Sequence, residues 1–187
     1  MTRIRHIGMG LLFLACLALS ARAADEGKLI YHNGFENEET DKVWRPRSRE
    51  IRTEMVEKEG RSGKCMLIEG TVSESWNYAQ GVNRAAVVPG KRYRYEVSIL
   101  VEDLQAPGPP FFKFQLEAKD REVPVQNSQP RTPRYNQLTG GWQTLSQEFV
   151  CPENTERGWF ALEIGGKVEA TIKCWIDDVK LFELPSE

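Results

Sequence analysis

The chain has 187 residues, enough for one domain of ordinary size and too few for two with full cores. Its 25 basic and 27 acidic residues give a net charge of −2, which supplies no electrostatic footprint for a nucleic-acid partner. The chain has only 2 histidines, His6 and His32, so a zinc site built on several imidazoles is excluded wherever the leader is removed.

The first 23 positions read as a secretion signal. Thr2-Arg3-Ile4-Arg5-His6 is a basic leader, Ile7 to Ser20 is uncharged, and Ala21-Arg22-Ala23 has the small-x-small pattern of a cleavage site. The apolar run is shorter than the roughly 20 residues that span a bilayer. A rival route makes Phe13-Leu14-Ala15-Cys16 a lipoprotein box, although Phe13 stands where leucine is expected. Cleavage after Ala23 leaves residues 24–187 as one domain and removes Arg3, Arg5 and Arg22. The 25 basic residues fall to 22 and the charge moves from −2 to −5. Cys65, Cys151 and Cys174 then enter an oxidising compartment, where one disulfide and one free thiol are expected.

In chain order, the predicted strands begin with Leu29 to His32. Ile51, Thr53 and Met55 alternate inside Glu50 to Glu59 and favour a strand over a helical turn. Cys65 to Glu69 and Ala85 to Val88 follow. Tyr93, Tyr95, Val97, Ile99 and Val101 then put apolar groups on one face, with Arg94, Glu96 and Ser98 on the other. Phe112, Phe114, Leu116 and Ala118 alternate with Phe111, Lys113, Gln115 and Glu117 in the same way. Leu145 to Cys151, Trp159 to Ile164 and Thr171 to Phe182 complete the set. Turn signals separate them, among them Gly60-Arg61-Ser62-Gly63, Pro89-Gly90, Gly140-Gly141 and Gly165-Gly166. Eight or nine short strands without a helical stripe predict an all-β antiparallel sandwich of jelly-roll or related topology. The longest irregular stretch, Lys119 to Gly141, is either a large loop or a strand between two loops; it is functional or a tolerated insertion.

Four segments in order carry a family likeness: Asn33-Gly34-Phe35-Glu36 with Trp44; Gly60-Arg61-Ser62-Gly63-Lys64 leading into a strand; Trp76 through Gln80 with Val88-Pro89-Gly90-Lys91-Arg92-Tyr93; and Gly141-Trp142 with Trp175-Ile176-Asp177-Asp178-Val179-Lys180-Leu181. Together they resemble a carbohydrate-binding module of the family 4, 9 and 22 type, a jelly roll with a galactose-binding-like fold. The resemblance implies a structural calcium ion, Ca2+, at one edge of the sandwich, held by Glu36, backbone oxygen near Lys64 and Asp177, with Asp178 as an alternative ligand; hard cations take six to eight oxygens. It also sets the third and closing strands side by side, which favours a Cys65–Cys174 disulfide over Cys151–Cys174.

The implied partner is a polysaccharide or oligosaccharide. A pyranose lays its C–H face on an aromatic ring while its hydroxyls need polar partners. Trp76, in the polar stretch Ser73 to Tyr78, is the candidate platform. Phe111, Lys113, Gln115 and Glu117 with Gln80 form the candidate polar floor, and Tyr135 with Arg134 a wall. Trp142, Trp44 and Phe35 read as packing residues. Trp159 opposes Phe160, Leu162 and Ile164, which makes it a second candidate platform. The leading reading is a secreted, non-catalytic glycan-binding module. The alternative is a structural or protein-interaction jelly roll at the cell surface or in the periplasm, which an occluded face at Trp76 would favour. Glu117 and Glu163 are the carboxylate pair considered for hydrolysis.

Overall fold

The computed structural model describes residues 27–37, 44–136 and 140–186. The leader, and with it Cys16, lies outside the described residues. Eleven strands run in the order β1 (Lys28–Asn33), β2 (Trp44–Pro46), β3 (Ile51–Glu57), β4 (Lys64–Val72), β5 (Asn77–Gly81), β6 (Ala85–Ala86), β7 (Arg92–Gln105), β8 (Phe111–Ala118), β9 (Gln143–Val150), β10 (Thr155–Glu163) and β11 (Ala170–Glu183). They form two antiparallel sheets, the sandwich that the alternation predicts. The first sheet is ordered β3-β4-β11-β7-β9, with β1 also on β11; the second is ordered β2-β5-β10-β6, with β8 also on β10.

Side-chain parity explains the layers. Tyr93, Tyr95, Val97 and Ile99 of β7 face inward with Ile172, Cys174 and Ile176 of β11, against Phe112, Phe114 and Leu116 of β8 and Phe160 and Leu162 of β10. Phe114 is the hub of an aromatic cluster, with ring centroids 4.7 Å from Phe160, 5.8 Å from Phe149 and 6.2 Å from Tyr95. Gly158 faces this cluster, and a Cβ there would stand 2.5 Å from the Phe114 ring. Glycine is what lets β10 close over Phe114.

The first sheet also carries a small outer cluster of Cys65, Leu67 and Trp175, flanked by Val56, Leu100 and Trp142. It corrects the disulfide expectation. Strands β4 and β11 are adjacent as expected, but Cys174 pairs with Ile68 and points into the main core, whereas Cys65 points out into the second cluster. The two thiols lie on opposite faces of one sheet and three residues apart in register. Cys65, Cys151 and Cys174 are all free and buried. Burial pushes Cys65 and Cys151 up to about 11 and Cys174 higher still, so all three are neutral thiols.

Two strands, β2 and β5, lie outside the predicted set. In β5 the register slips between the Leu162–Ala79 and Glu163–Asn77 pairs, so Tyr78 and Ala79 are both buried and alternation is lost. The stretch from Lys119 to Gly141 is no free loop. Residues 128–135 run along the outer edge of β8, where Leu116 N–H donates to Ser128 O at 2.8 Å, Phe114 N–H to Pro130 O at 3.1 Å, and Thr132 N–H to Phe112 O at 2.9 Å. Pro130 and Pro133 lack the donors a regular strand needs, so the pairing reduces to the Lys113–Arg131 bridge.

Candidate functional site

The second sheet turns the odd residues of β8 outward. Because directly paired residues share a face, the register gives the layout of that face. Glu163 lies between Phe111 and Asn77; Ala161 between Lys113 and Gln80, with Arg45 beyond; Trp159 beside Gln115; and Arg157 beside Glu117. Lys113, Gln115, Glu117, Gln80 and Phe111 are therefore brought onto one surface, as the alternation suggested.

At the Glu163 end that surface sinks into a recess of about 500 Å³, within the usual range of ligand sites. Ser75 and Trp76 from the turn before β5, Asn77 at the start of that strand, Lys113, Arg131 and Glu163 are among its lining groups. Trp76 is 44% exposed, the largest exposed aromatic of the described residues. The turn that presents it is pinned. Ile164 N–H donates to Trp76 O at 3.0 Å, Asn77 N–H donates to Ser75 Oγ at 3.3 Å, and Glu74 adopts a left-handed φ of 57°. Such a conformation in a non-glycine residue is sparsely populated and clusters at functional sites.

The floor is polar and buried. Glu163 is 1% exposed, Lys113 6% and Asn77 7%. Arg131 holds Glu163, its Nη2 donating to Oε1 at 3.3 Å and its Nε lying 3.3 Å from Oε2. Asn77 Oδ1 nevertheless has no hydrogen-bond partner among the described residues, and Glu163 Oε2 has the Arg131 ion pair but no hydrogen bond of good geometry. A buried acceptor without a partner is costly, and a hydroxylated ligand could donate to both oxygens. Trp159, half-buried, lies further along the same surface between Lys113 Nζ at 5.6 Å and Arg84 Cζ at 5.5 Å from its ring centroid.

Other candidates fall elsewhere. The Tyr135 ring is buried in the core, and its hydroxyl donates to Gly141 O at 2.9 Å, so it forms no wall of the recess. Arg134 stacks 4.7 Å from the Phe111 ring centroid, which Arg131 also covers, so Phe111 is capped by guanidinium groups. Gln115 Nε2 donates to Leu116 O and Ser128 O, bracing the edge segment. Glu117 accepts from Arg84 Nε at 2.8 Å and Arg157 Nε at 2.7 Å. Burial raises the Glu117 carboxyl, but the two arginines outweigh it and hold it below the usual range. A depressed carboxylate adds stability above its unfolded pKa and loses it as pH falls through the native one. Glu117→Gln should therefore cost about 1 kcal/mol or less at neutral pH, discounted for its partial exposure. The gap to wild type should close on acidification through the carboxylate range in denaturant titrations. A gap that widens in acid would refute this account.

Glu36, Lys64 and Asp177 meet at a second place. The closing strand bulges where Asp177 pairs with Ser98 and Lys180 with Glu96, and Asp178 takes a φ of 51°. The bulge falls between the stretches of β11 that pair with β4 and with β1. Glu36 Oε2 accepts from Lys64 N–H at 3.3 Å, and Gly63 meets the left-handed φ of 80° that this turn needs, with the Glu36 carboxylate lying in the space a Cβ would take. The donor set is already engaged: Arg61 Nε lies 3.3 Å from Asp177 Oδ2, and Arg61 Nη1 lies 3.8 Å from Asp178 Oδ2. His32 Nε2 and Lys180 Nζ lie 2.8 and 3.0 Å from Asp178 Oδ1. Burial pushes the Asp177 carboxyl up to about 6 against the opposing pull of Arg61. No group of three or more histidine, cysteine or carboxylate side chains is arranged to hold a metal among the described residues. As arranged, the residues fit a guanidinium better than a calcium ion.

The architecture is a two-sheet β-sandwich with a polar recess and an exposed tryptophan on one outer face. The sequence profile of the carbohydrate binding domain family CBM_4_9 matches residues 27–171, and the chain belongs to that family. A search of curated proteins returns no match. Solved structures resemble it in fold. The CBM22-1 and GH10 modules of Clostridium thermocellum endo-1,4-β-D-xylanase 10B, complexed with xylohexaose, align with a TM-score of 0.59 at 17% identity, over 84% of this chain and 29% of that one. The CBM22-1 xylan-binding domain of Paenibacillus barcinonensis Xyn10C aligns with 0.55 at 13% identity over 86% and 97%. A xylan-binding domain of family 22 aligns with 0.53 at 18% identity over 87% and 99%. The chain thus spans under a third of the two-module xylanase chain and nearly all of the isolated xylan-binding domains.

Sequence reasoning missed Asn77, Arg131, Gln129, Arg47 and Lys167 as lining groups and met Glu163 only as a hydrolytic candidate. The outward parity of Trp159, Ala161 and Glu163 in β10 was the available signal for the last.

Proposed function

We propose that this protein is a secreted, non-catalytic glycan-binding module whose recess beside Trp76 holds a sugar. One observation carries the reading: an exposed tryptophan, fixed by its turn, lines the same recess as the buried Asn77 Oδ1, which lacks a hydrogen-bond partner, and the Glu163 carboxylate, which Arg131 holds. Such a site offers a stacking plane and hydroxyl partners together. The hydrolytic pair finds no support, because Glu163 and Glu117 sit opposite residues six apart along extended strands, Phe111 and Arg157 marking their rows. That separation is roughly 20 Å, against about 5 to 9.5 Å for glycosidase carboxylates. The basic, apolar and small-residue leader supports export. A structural calcium ion at Glu36 and Asp177 remains our proposal only in competition with Arg61, which an ion there would have to displace.

Xylo-oligosaccharides are the first probe, since xylan-binding domains share the fold. Calorimetry of the purified protein against xylohexaose and a panel of plant and bacterial polysaccharides should reveal saturable binding without release of reducing ends. Failure to bind any glycan would reject the reading, and release of reducing ends would reject its non-catalytic part.

A further inference from the structure

The charge inventory of the recess is lopsided. Arg47, Lys113, Arg131 and Lys167 face it against only Glu74 and Glu163. Arg131 is committed to Glu163, which leaves that pair neutral. Lys113 is the anomaly. It is 6% exposed, yet its ammonium makes no hydrogen bond or ion pair with any described residue; the ring centroid of Trp159 lies 5.6 Å away. Burial holds its pKa below the ordinary lysine value, with Glu163 opposing and Arg131 and Arg47 adding to the fall.

An ammonium set into a recess with only the longer-range pull of Glu163, and no hydrogen bond or ion pair, costs stability that a hydrophobic residue of equal size would not. Surface charges around a recess are commonplace, but Lys113 projects from β8 between Ala161 of β10 and the edge bridge to Arg131 and is nearly buried there. No feature of the core needs an ammonium there. A neutral pyranose would offer it only hydroxyl dipoles, whereas an anion would form a charge-assisted hydrogen bond in a desolvated setting, with Arg47 and Lys167 reinforcing from the rim.

We infer that the recess selects glycans bearing an anionic group on the sugar, the charge being received by Lys113 while Trp76 stacks on the ring and Asn77 and Glu163 accept its hydroxyls. This rests on the glycan-binding reading and specifies its ligand class. A uronate carboxylate and a sulfate ester present the same chemistry.

Calorimetry decides it, with oligogalacturonate, glucuronoxylan and a sulfated galactan set beside their carboxyl-reduced or desulfated counterparts and xylohexaose. At least one acidic glycan should bind about tenfold more tightly than its neutralised counterpart, and the preference should shrink as salt rises. The carboxylate and sulfate arms identify the source of the anion. Lys113→Met, which keeps the apolar stem, should abolish the preference, so that acidic and neutralised forms bind within about twofold of each other. Should that variant fail to fold, Lys167→Gln at the exposed rim should reduce the preference by a smaller factor. Neutral and acidic forms binding within twofold of each other would overturn the inference and leave glycan binding standing. No binding of either would overturn both.

Discussion

An Arg61→Ala variant should unfold about 3 kcal/mol more easily than wild type at neutral pH, read from the denaturant midpoint at unchanged m. The size follows from what the guanidinium holds. It reaches Asp177, whose side chain is only 7% exposed, and lies 4.7 Å from the Trp142 ring centroid. Trp142 in turn donates from Nε1 to Glu59 O at 3.2 Å, so one arginine links the turn at residues 59–63, the bulged closing strand and the start of β9. Truncation strands a buried carboxylate. The same variant examines the metal question: millimolar calcium should recover part of its lost stability while scarcely moving wild type. A variant as stable as wild type would remove Arg61 from this role, and a large calcium effect on wild type would return the site to the ion.

Trp76→Ala should weaken glycan binding by about thirtyfold, or about 2 kcal/mol, from the lost apolar contact and stacking. Its thermal midpoint should fall by only a few degrees, because nearly half of the residue is already exposed and it belongs to neither apolar cluster. Trp76→Tyr should retain most of the affinity, since a flat ring survives. Equal affinities for wild type and the alanine variant would move the platform elsewhere, with Trp159 the next ring on the same face. Removing both rings should then eliminate binding that survives either single change.

What could be read in advance was governed by whether a strand has one buried face. In β7 and β8 it does, and the inward set of Tyr93, Tyr95, Phe112 and Phe114 was legible from alternation, as was the outward set from Phe111 to Glu117. Strand β4 is covered on both sides, so Cys65-Met66-Leu67-Ile68 reads as a continuous apolar run and its parity is hidden. That is why a disulfide between adjacent strands looked reasonable and fails in three dimensions. In β5 a register slip erased the pattern that would have exposed Asn77 as a floor residue. Arg131 reaches Glu163 across 32 positions of sequence, from a proline-interrupted segment without periodicity of its own. Tyr135 was misplaced for the same reason: within that segment, burial is set by β8 alongside and not by neighbours in sequence.

The proline-bearing segment 128–135 has a further consequence. An uncovered β8 would present a row of free donors and acceptors, the template on which a second chain adds a strand. The segment consumes those groups, and its own outer rim lacks an N–H donor at Pro133. The sheet therefore ends in a border that resists self-association. Because Gln129 and Arg131 in the recess belong to the same border, substitutions there would alter ligand preference and colloidal behaviour together, while leaving the aromatic cluster around Phe114 untouched.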